Sequence, residues 1–123
     1  MGATKDDVLG FIMEEIGHAP EYLWMKFPGY AIFRNPQNRK WYAALMEVER
    51  NNLGLNGEGM LDILDVKCSH EKVEELKSLK GFLPTYHMNK KSWITILLDG
   101  SVEKQKVFKL IEESLELSKK GSK

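Results

Sequence analysis

The stretch Trp93-Ile-Thr-Ile-Leu-Leu98, followed by Asp99-Gly100, decides the fold of this chain. Its side chains are apolar or β-branched on both faces, which predicts an interior strand covered on both sides. Asp-Gly is a turn signal, so the strand ends there. Beyond the turn, Ser101 can cap a helix whose apolar stripe runs from Val107 to Leu117 at helical spacing.

The segment before this strand predicts a second strand and a second helix. From Leu64 to Cys68, apolar and charged residues alternate, which is typical of a strand with one covered face. Ser69 can cap the helix that follows, and Gly81 ends it. Cys68 is the only cysteine, so an internal disulfide is excluded, and its place in the strand favours a buried apolar role over a nucleophilic one.

The N-terminal half predicts a helix and a β-hairpin. Thr4 can cap a helix that runs to Gly17, and the aromatic stretch Tyr22–Phe27 is compatible with a short strand. The extended runs 30–34 and 40–46 flank a turn of Asn and Pro, which predicts the hairpin, and residues 47–60 are expected to form a loop. The whole is expected to be α+β: a two-layer sandwich with helices on one face of a mainly antiparallel sheet.

Composition places the chain among ordinary globular proteins. Its 123 residues suit one domain, 1–123, and 42% of them are apolar. Eighteen basic residues balance 18 acidic ones, which argues against a protein that coats nucleic acid by bulk charge. No run is apolar enough to span a membrane, and the acidic N-terminus does not resemble a signal peptide, so a cytoplasmic location without membrane attachment is expected.

Catalytic and metal-binding patterns are missing from the sequence. The three histidines lie far apart, no glycine-rich loop opens a helix after a strand, and the adjacent glutamate pairs lie on helices where water is their default neighbour. We therefore expect no catalytic activity, no cofactor and no metal.

Two basic segments are the candidate site. The segment Thr85–Trp93 contains His87, Lys90 and Lys91 between aromatic residues and has no acid, a combination that can meet a phosphate backbone. The hairpin turn adds Arg34, Arg39 and Lys40. The first segment is more simply explained as a solvated turn with Trp93 and Met88 in the core, because charged clusters usually solvate a surface. The hairpin residues could equally form a charged edge that avoids aggregation. Within the first segment, Asn89 is expected to organise the turn through local hydrogen bonds.

At these residues the chain resembles a known bacterial family. Leu64-Asp-Val-Lys-Cys-Ser-His-Glu71, Lys80-Gly-Phe-Leu-Pro84, His87-Met-Asn-Lys-Lys-Ser-Trp93 and Leu98-Asp-Gly100 are similar to the MmcQ/YjbR family, although Met88 replaces the usual Leu. The hairpin turn Asn35-Pro-Gln-Asn-Arg39 is longer than the family's usual Gly-Lys turn. The resemblance implies an αβ₃αβ₂α arrangement like the CyaY-like fold of bacterial frataxins and of secretion chaperones, and DNA binding through a double-wing arrangement.

Three functions follow as expectations. The first is a DNA-binding module of low sequence specificity in which Arg34, Arg39, Lys40, His87, Lys90 and Lys91 contact phosphates of duplex DNA. The second is a monomeric protein-interaction module that receives a protein partner on its sheet or in a groove, as secretion chaperones of similar fold do. The third and weakest is a frataxin-like metal role for the acidic residues of the first helix: Asp6, Asp7, Glu14 and Glu15.

Overall fold

The computed structural model describes residues 2–119 and has the predicted αβ₃αβ₂α order. The elements are α1 (Lys5–Gly10) with a π-helical continuation (Phe11–Ile16), β1 (Ala31–Arg34), β2 (Trp41–Glu49), a 3₁₀ turn (Arg50–Leu53), β3 (Met60–Lys67), α2 (His70–Leu76), β4 (Phe82–Pro84), β5 (Trp93–Leu97) and α3 (Lys104–Lys119). The strands form one sheet in the order β1-β2-β3-β5-β4, and every neighbouring pair is antiparallel.

Local chemistry sets the helix ends much as the sequence predicts. Thr4 forms a capping box with Asp7, in which each side chain bonds the other residue's backbone N–H. Gly17 ends the π-helical stretch in the left-handed region at φ 88°. Ser69 caps α2 through a bond from Lys72 N–H to its hydroxyl (3.2 Å).

The two faces of the sheet are covered differently. On one face α1, α2 and α3 pack over a continuous core that includes Phe33, Tyr42, Leu64, Ile94 and Ile96. On the other, which we call the helix-free face, a second buried cluster is covered by connecting segments; its buried members are Ile32, Ala44, Met46, Val48, Leu61, Ile63 and Leu97. The predicted layer of helices on one side is confirmed, and β5 is an interior strand with all five residues buried.

Three local predictions are wrong. The stretch Tyr22–Phe27 is not a strand. Glu21, just before it, pairs with Ile32 through an isolated bridge, and Trp24 then packs over the helix-free face. The expected loop 47–60 is shorter, because β2 continues to Glu49, which pairs with Met60.

The third concerns the cap of the last helix. Ser101 does not cap α3, which begins at Lys104; Asp99 instead accepts hydrogen bonds from the Ser101 N–H and hydroxyl. Glu103, the residue before the helix, pairs with Gly2 in an isolated bridge. The Asp99-Gly100-Ser101 stretch is thus a self-contained turn, which explains why its serine is unavailable to the helix. Within residues 2–119, no helix is both long and apolar enough to cross a bilayer.

Candidate functional site

The turn between β1 and β2 is held by its own backbone and by α3. Asn35 N–H donates to the Lys40 carbonyl (2.8 Å), and the Asn35 carbonyl accepts from Arg39 N–H (2.7 Å). The side-chain amides of Asn35 and Asn38 donate to Ser118 Oγ (3.1 Å) and to the Ser118 carbonyl (2.8 Å). The turn therefore packs against the last helix, and these hydrogen bonds fix the position of Arg39 and Lys40.

Two of the predicted site residues share one carboxylate. Arg34 Nε donates to Glu21 Oε1 at 3.1 Å, and Arg39 Nη2 lies 3.5 Å from Glu21 Oε2. The turn, residues 34–40, contains no acid of its own, but the fold brings Glu21 to it from the connection that precedes β1. The three side chains together carry one net positive charge, so the hairpin is less cationic than its sequence indicates.

The segment that follows β4 is tied to the helix-free face by a buried network. Thr85 Oγ1 donates to Asp65 Oδ2 (3.3 Å), and Tyr86 N–H donates to Thr95 Oγ1 (2.9 Å). Thr95 in turn donates to Asp65. These bonds fold residues 85–88 back over the sheet, and they fix where the basic segment Thr85–Trp93 begins.

Lys90 and Lys91 lie in a tight turn whose geometry Asn89 organises. Lys91 N–H donates to Asn89 Oδ1 (2.8 Å), and Ser92 N–H donates to the Asn89 carbonyl (3.2 Å), which confirms the predicted local bonding of Asn89. Lys90 Nζ lies 3.4 Å from the Thr85 carbonyl, to which it donates. Both lysines are exposed, and within residues 2–119 neither forms an ion pair.

The sheet brings both basic turns to one end. In the antiparallel register Ala43 faces Val66 and Lys67 faces Trp93, so β2 begins, β3 ends and β5 begins at the same edge of the molecule. Cys68 N–H donates to the Ser92 carbonyl (2.9 Å), which keeps the lysine turn beside the end of β3. We call this region the basic end; its residues are Arg34, Arg39, Lys40, Lys67, Lys90 and Lys91.

Lys67 is a member of the basic end that lies outside both basic segments of the sequence. Burial lowers the pKa of its ammonium group, and the positive charge of Lys40 lowers it further. Its ammonium also lies 5.7 Å from the centre of the Trp93 ring. Its sequence signal is its position as the last charged residue of the alternating run Leu64–Cys68. Lys67 belongs to the basic end because this strand ends beside the lysine turn.

Acidic residues limit the basic end on its helix side. Glu112, Glu113 and Glu116 of α3 line a shallow cavity there together with Lys72 and Lys109. The positive charge that remains unbalanced therefore faces the end and the helix-free side of the sheet.

His87 lines a cavity of about 640 Å³ on the helix-free face, and it also lines a smaller cavity together with Lys90. The floor of the larger cavity is formed by β2, and its walls come from the connection before β1 and from residues 86–88. We call it the aromatic cavity; its lining includes Trp24, Phe27, Tyr30, Trp41, Met46, Met60, Tyr86, His87 and Met88. The sequence analysis missed it, although the density of aromatic residues in 22–30 was its visible signal.

Ring contacts give the aromatic cavity a defined wall. Trp24 meets Tyr30 and Trp41 edge-on, with ring centres 5.8 and 5.9 Å apart, and Phe27 stacks on Tyr30 at 4.7 Å. Aromatic pairs at such distances hold one another in place. The wall is therefore built before any ligand arrives.

The carboxylates of the aromatic cavity outnumber its basic groups, since His87 is the one basic side chain of residues 2–119 in its lining. Glu47 and Glu49 line it, whereas no lysine or arginine does. Burial raises the pKa of the Tyr30 hydroxyl, and the neighbouring Tyr86 and Glu47 raise it further. The two tyrosines and the carboxylate thus surround a common space.

Two further reactive groups, Cys68 and Asp7, are held by the fold. Burial raises the pKa of the Cys68 thiol to about 11, with Glu113 adding to the effect, so the sulfur stays protonated and unreactive. Asp7 is used by Thr4 and by Lys104, whose Nζ lies 3.6 Å from it. Within residues 2–119, no three His, Cys, Asp or Glu side chains are grouped to hold a metal ion.

Comparison with known proteins identifies relatives that match nearly the whole chain. The sequence profile of the YjbR family matches residues 17–117, a range that includes the basic end and the aromatic cavity. The chain is also 40% identical over 116 residues to the Bacillus subtilis protein YyaQ, which is described as uncharacterized; the match covers 94% of this chain and 98% of YyaQ.

Solved structures show the same architecture. A crystal structure of a Pseudomonas syringae protein has a TM-score of 0.90 at 38% identity and covers 93% of this chain and 97% of its own. A solution NMR structure from the same organism gives 0.84 at 37% identity, covering 94% and 92%. A Deinococcus radiodurans protein shares the fold at 24% identity and a TM-score of 0.72, covering 97% of this chain and 80% of its own.

Proposed function

This chain belongs to the YjbR family, and we propose that it binds duplex DNA weakly through phosphate contacts at the basic end. The proposal involves no catalytic step. It assigns the contacts to lysine and arginine side chains, which bind phosphates without reading the base sequence.

One observation carries the proposal: the antiparallel strand order places two basic turns at one end of the sheet, with Lys67 between them. The turns are far apart in the sequence, so only the fold could join them into one surface. Lys90 and Lys91 are the strongest contributors, because they are exposed and have no carboxylate partner within residues 2–119.

The expected affinity is low. The chain has no net charge, Glu21 offsets part of the hairpin, and the glutamates of α3 border the surface on its helix side. Non-specific binding of this kind has a Kd of about 10⁻⁴–10⁻⁶ M at physiological salt. Three to five phosphate contacts correspond to a slope of roughly −3 to −4.5 in a plot of log K against log salt concentration.

The test is fluorescence anisotropy of a generic labelled duplex at several salt concentrations. Replacing Lys90 and Lys91 by Ala is expected to flatten the salt slope by about two, because two counterion-releasing contacts are removed. Neither side chain packs in the core, so the unfolding midpoint is expected to stay at the wild-type value.

The matched control is the double variant Lys77→Ala/Lys80→Ala. It makes the same change in net charge at the opposite end of the sheet. Lys77 and Lys80 precede Gly81, whose carbonyl accepts from the N–H of Leu97, the last residue of β5. Its salt slope is expected to equal that of the wild type. Absence of binding at low salt, or an equal effect of the two double variants, would contradict the proposal.

A second candidate is the protein-interaction module expected from the sequence. It is favoured by the exposed apolar side chains around the aromatic cavity: Met25 is 97% exposed, Met60 50% and Phe27 49%. Because Glu47 and Glu49 line that cavity, a peptide that binds there is expected to carry positive charge.

A further inference from the structure

The aromatic cavity combines features that no DNA contact uses. It lies on the helix-free face, and its volume of about 640 Å³ is in the range of cavities that hold a drug-sized molecule. Its floor on β2 is apolar, since Ala44, Met46 and Val48 are buried there. A molecule seated in the cavity would therefore bury its apolar surface against side chains that are already in place.

Two independent features select a positive charge. The faces of aromatic rings carry negative electrostatic potential, and cages of such rings bind ammonium groups. Trp24 packs edge-on against both Tyr30 and Trp41, so three such rings line the cavity together. One of them already attracts a cation, because Arg34 Cζ lies 6.0 Å from the centre of the Trp41 ring. Glu47 and Glu49 also line the cavity, and within residues 2–119 neither of them is neutralised by an ion pair.

The same features exclude other ligands. An anion would meet two carboxylates and no lysine or arginine side chain. A small hydrated metal ion would find too few grouped carboxylate, imidazole or thiolate donors, since residues 2–119 hold no such cluster. A neutral apolar molecule would gain from burial but not from the charge of the rim.

We propose that the aromatic cavity binds a lipophilic organic cation, with its apolar body against the aromatic wall and its charge near Glu47 and Glu49. The thioethers of Met46, Met60 and Met88 adapt to irregular shapes, so the site selects for charge and apolar bulk rather than for one outline. The occupant is a free small molecule, because aromatic residues of two separate segments, 24–30 and Tyr86, form walls of the cavity on the face of the sheet rather than along a strand edge.

The experiment uses two probes of nearly the same size and shape but opposite charge, tetraphenylphosphonium and tetraphenylborate. Binding to the full chain is measured by isothermal titration calorimetry and by quenching of tryptophan fluorescence, since two of the three tryptophans line the cavity. The phosphonium is expected to bind at least about tenfold more tightly than the borate, because charge is the main difference between them.

Variants then locate the site. Glu47→Gln/Glu49→Gln is expected to weaken phosphonium binding by about three- to tenfold and to leave the borate unaffected or slightly strengthened. The control Glu14→Gln/Glu15→Gln removes the same charge from exposed positions at the end of the first helix and is expected to have no effect. Phe27→Ala, at a half-exposed wall position, should weaken the cation without unfolding the protein.

Three results would overturn the proposal. Equal binding of the two probes would show an apolar surface without charge selection. Binding of an apolar lysine-containing peptide, with no binding of the phosphonium, would assign the cavity to a protein partner. Phosphonium binding that weakens as protein concentration rises, with dimers in sedimentation, would show that a second copy of the chain covers it. The variant Lys90→Ala/Lys91→Ala should not change phosphonium binding, so this proposal and the DNA proposal can fail separately.

Discussion

Thr95 Oγ1 donates a hydrogen bond of 2.5 Å to Asp65 Oδ1, between the neighbouring strands β5 and β3. The carboxyl group is fully buried on the helix-free face, where Thr85 supplies the second bond. Thr95 also accepts from Tyr86 N–H, so one buried acid positions a residue of the aromatic cavity and the start of the basic segment. The titration of Asp65 is therefore connected to both proposed surfaces.

The first prediction concerns pH. Burial raises the pKa of Asp65 from 3.8 to about 7, against the opposing effect of the hydrogen bonds from Thr95 and Thr85. Because the folded state binds this proton more tightly than the unfolded state, the stabilisation is complete below about pH 4 and is lost as the pH rises through about 7. At about 1.4 kcal/mol per pKa unit, this shift lowers the free energy of unfolding by roughly 4–5 kcal/mol between about pH 4 and pH 7.

The matched variant is Asp65→Asn, which keeps the shape and the hydrogen-bonding capacity but cannot ionise. The difference in unfolding free energy between variant and wild type, from urea titrations at pH 5 and pH 8, isolates this group from other carboxylates. The free energy of unfolding of the variant, relative to that of the wild type, is expected to be higher at pH 8 than at pH 5. A difference that does not change with pH would show that Asp65 is not the titrating group.

The second prediction is that Trp93→Ala lowers the free energy of unfolding by roughly 3–5 kcal/mol, as other large-to-small core changes do. Trp93 is only 7% exposed, and it begins β5, which pairs on both sides. Chemical denaturation gives the midpoint and slope. A midpoint close to that of the wild type would place the indole on the surface, available for stacking.

The third prediction concerns Asn89, which we expect to act on the turn alone. Asn89→Ala removes the acceptor of the Lys91 N–H bond and should cost about 0.5–1.5 kcal/mol of stability. Asn89→Asp keeps the acceptor oxygen and should restore most of that loss in the same denaturation assay. An alanine variant with unchanged stability but no DNA binding would instead make Asn89 a ligand contact.

The fourth prediction tests the shared carboxylate of the hairpin. Glu21→Gln frees Arg34 and Arg39 from their ion pairs, so DNA binding should tighten and the salt slope should steepen by about one. Glu74→Gln is the control, because it releases Lys77 and His70 on α2, away from the basic end. Equal DNA affinities of the two variants would show that Arg34 and Arg39 do not contact the DNA.

Part of this architecture could be predicted because it depends on neighbours in the sequence. The cap at Thr4, the strand at Trp93 and the bonding of Asn89 involve residues within a few positions of one another, or an apolar pattern read directly from the chain. The same local logic failed for Tyr22–Phe27. Aromatic residues favour strands on average, but here the Trp24 ring packs over the helix-free face and the backbone of the stretch forms no strand.

The sequence by itself determined the order of elements, the family and the two basic segments, because periodicity, turn chemistry and motif spacing are local properties. Tertiary structure alone decided how charge and aromatic surface are distributed. Glu21 reaches Arg34 from 13 positions away, Lys67 joins the basic end through its pairing with Trp93, and Trp24 meets Trp41 across the helix-free face. Such contacts depend on strand order and on which face each segment covers, and these are fixed only when the whole chain packs together.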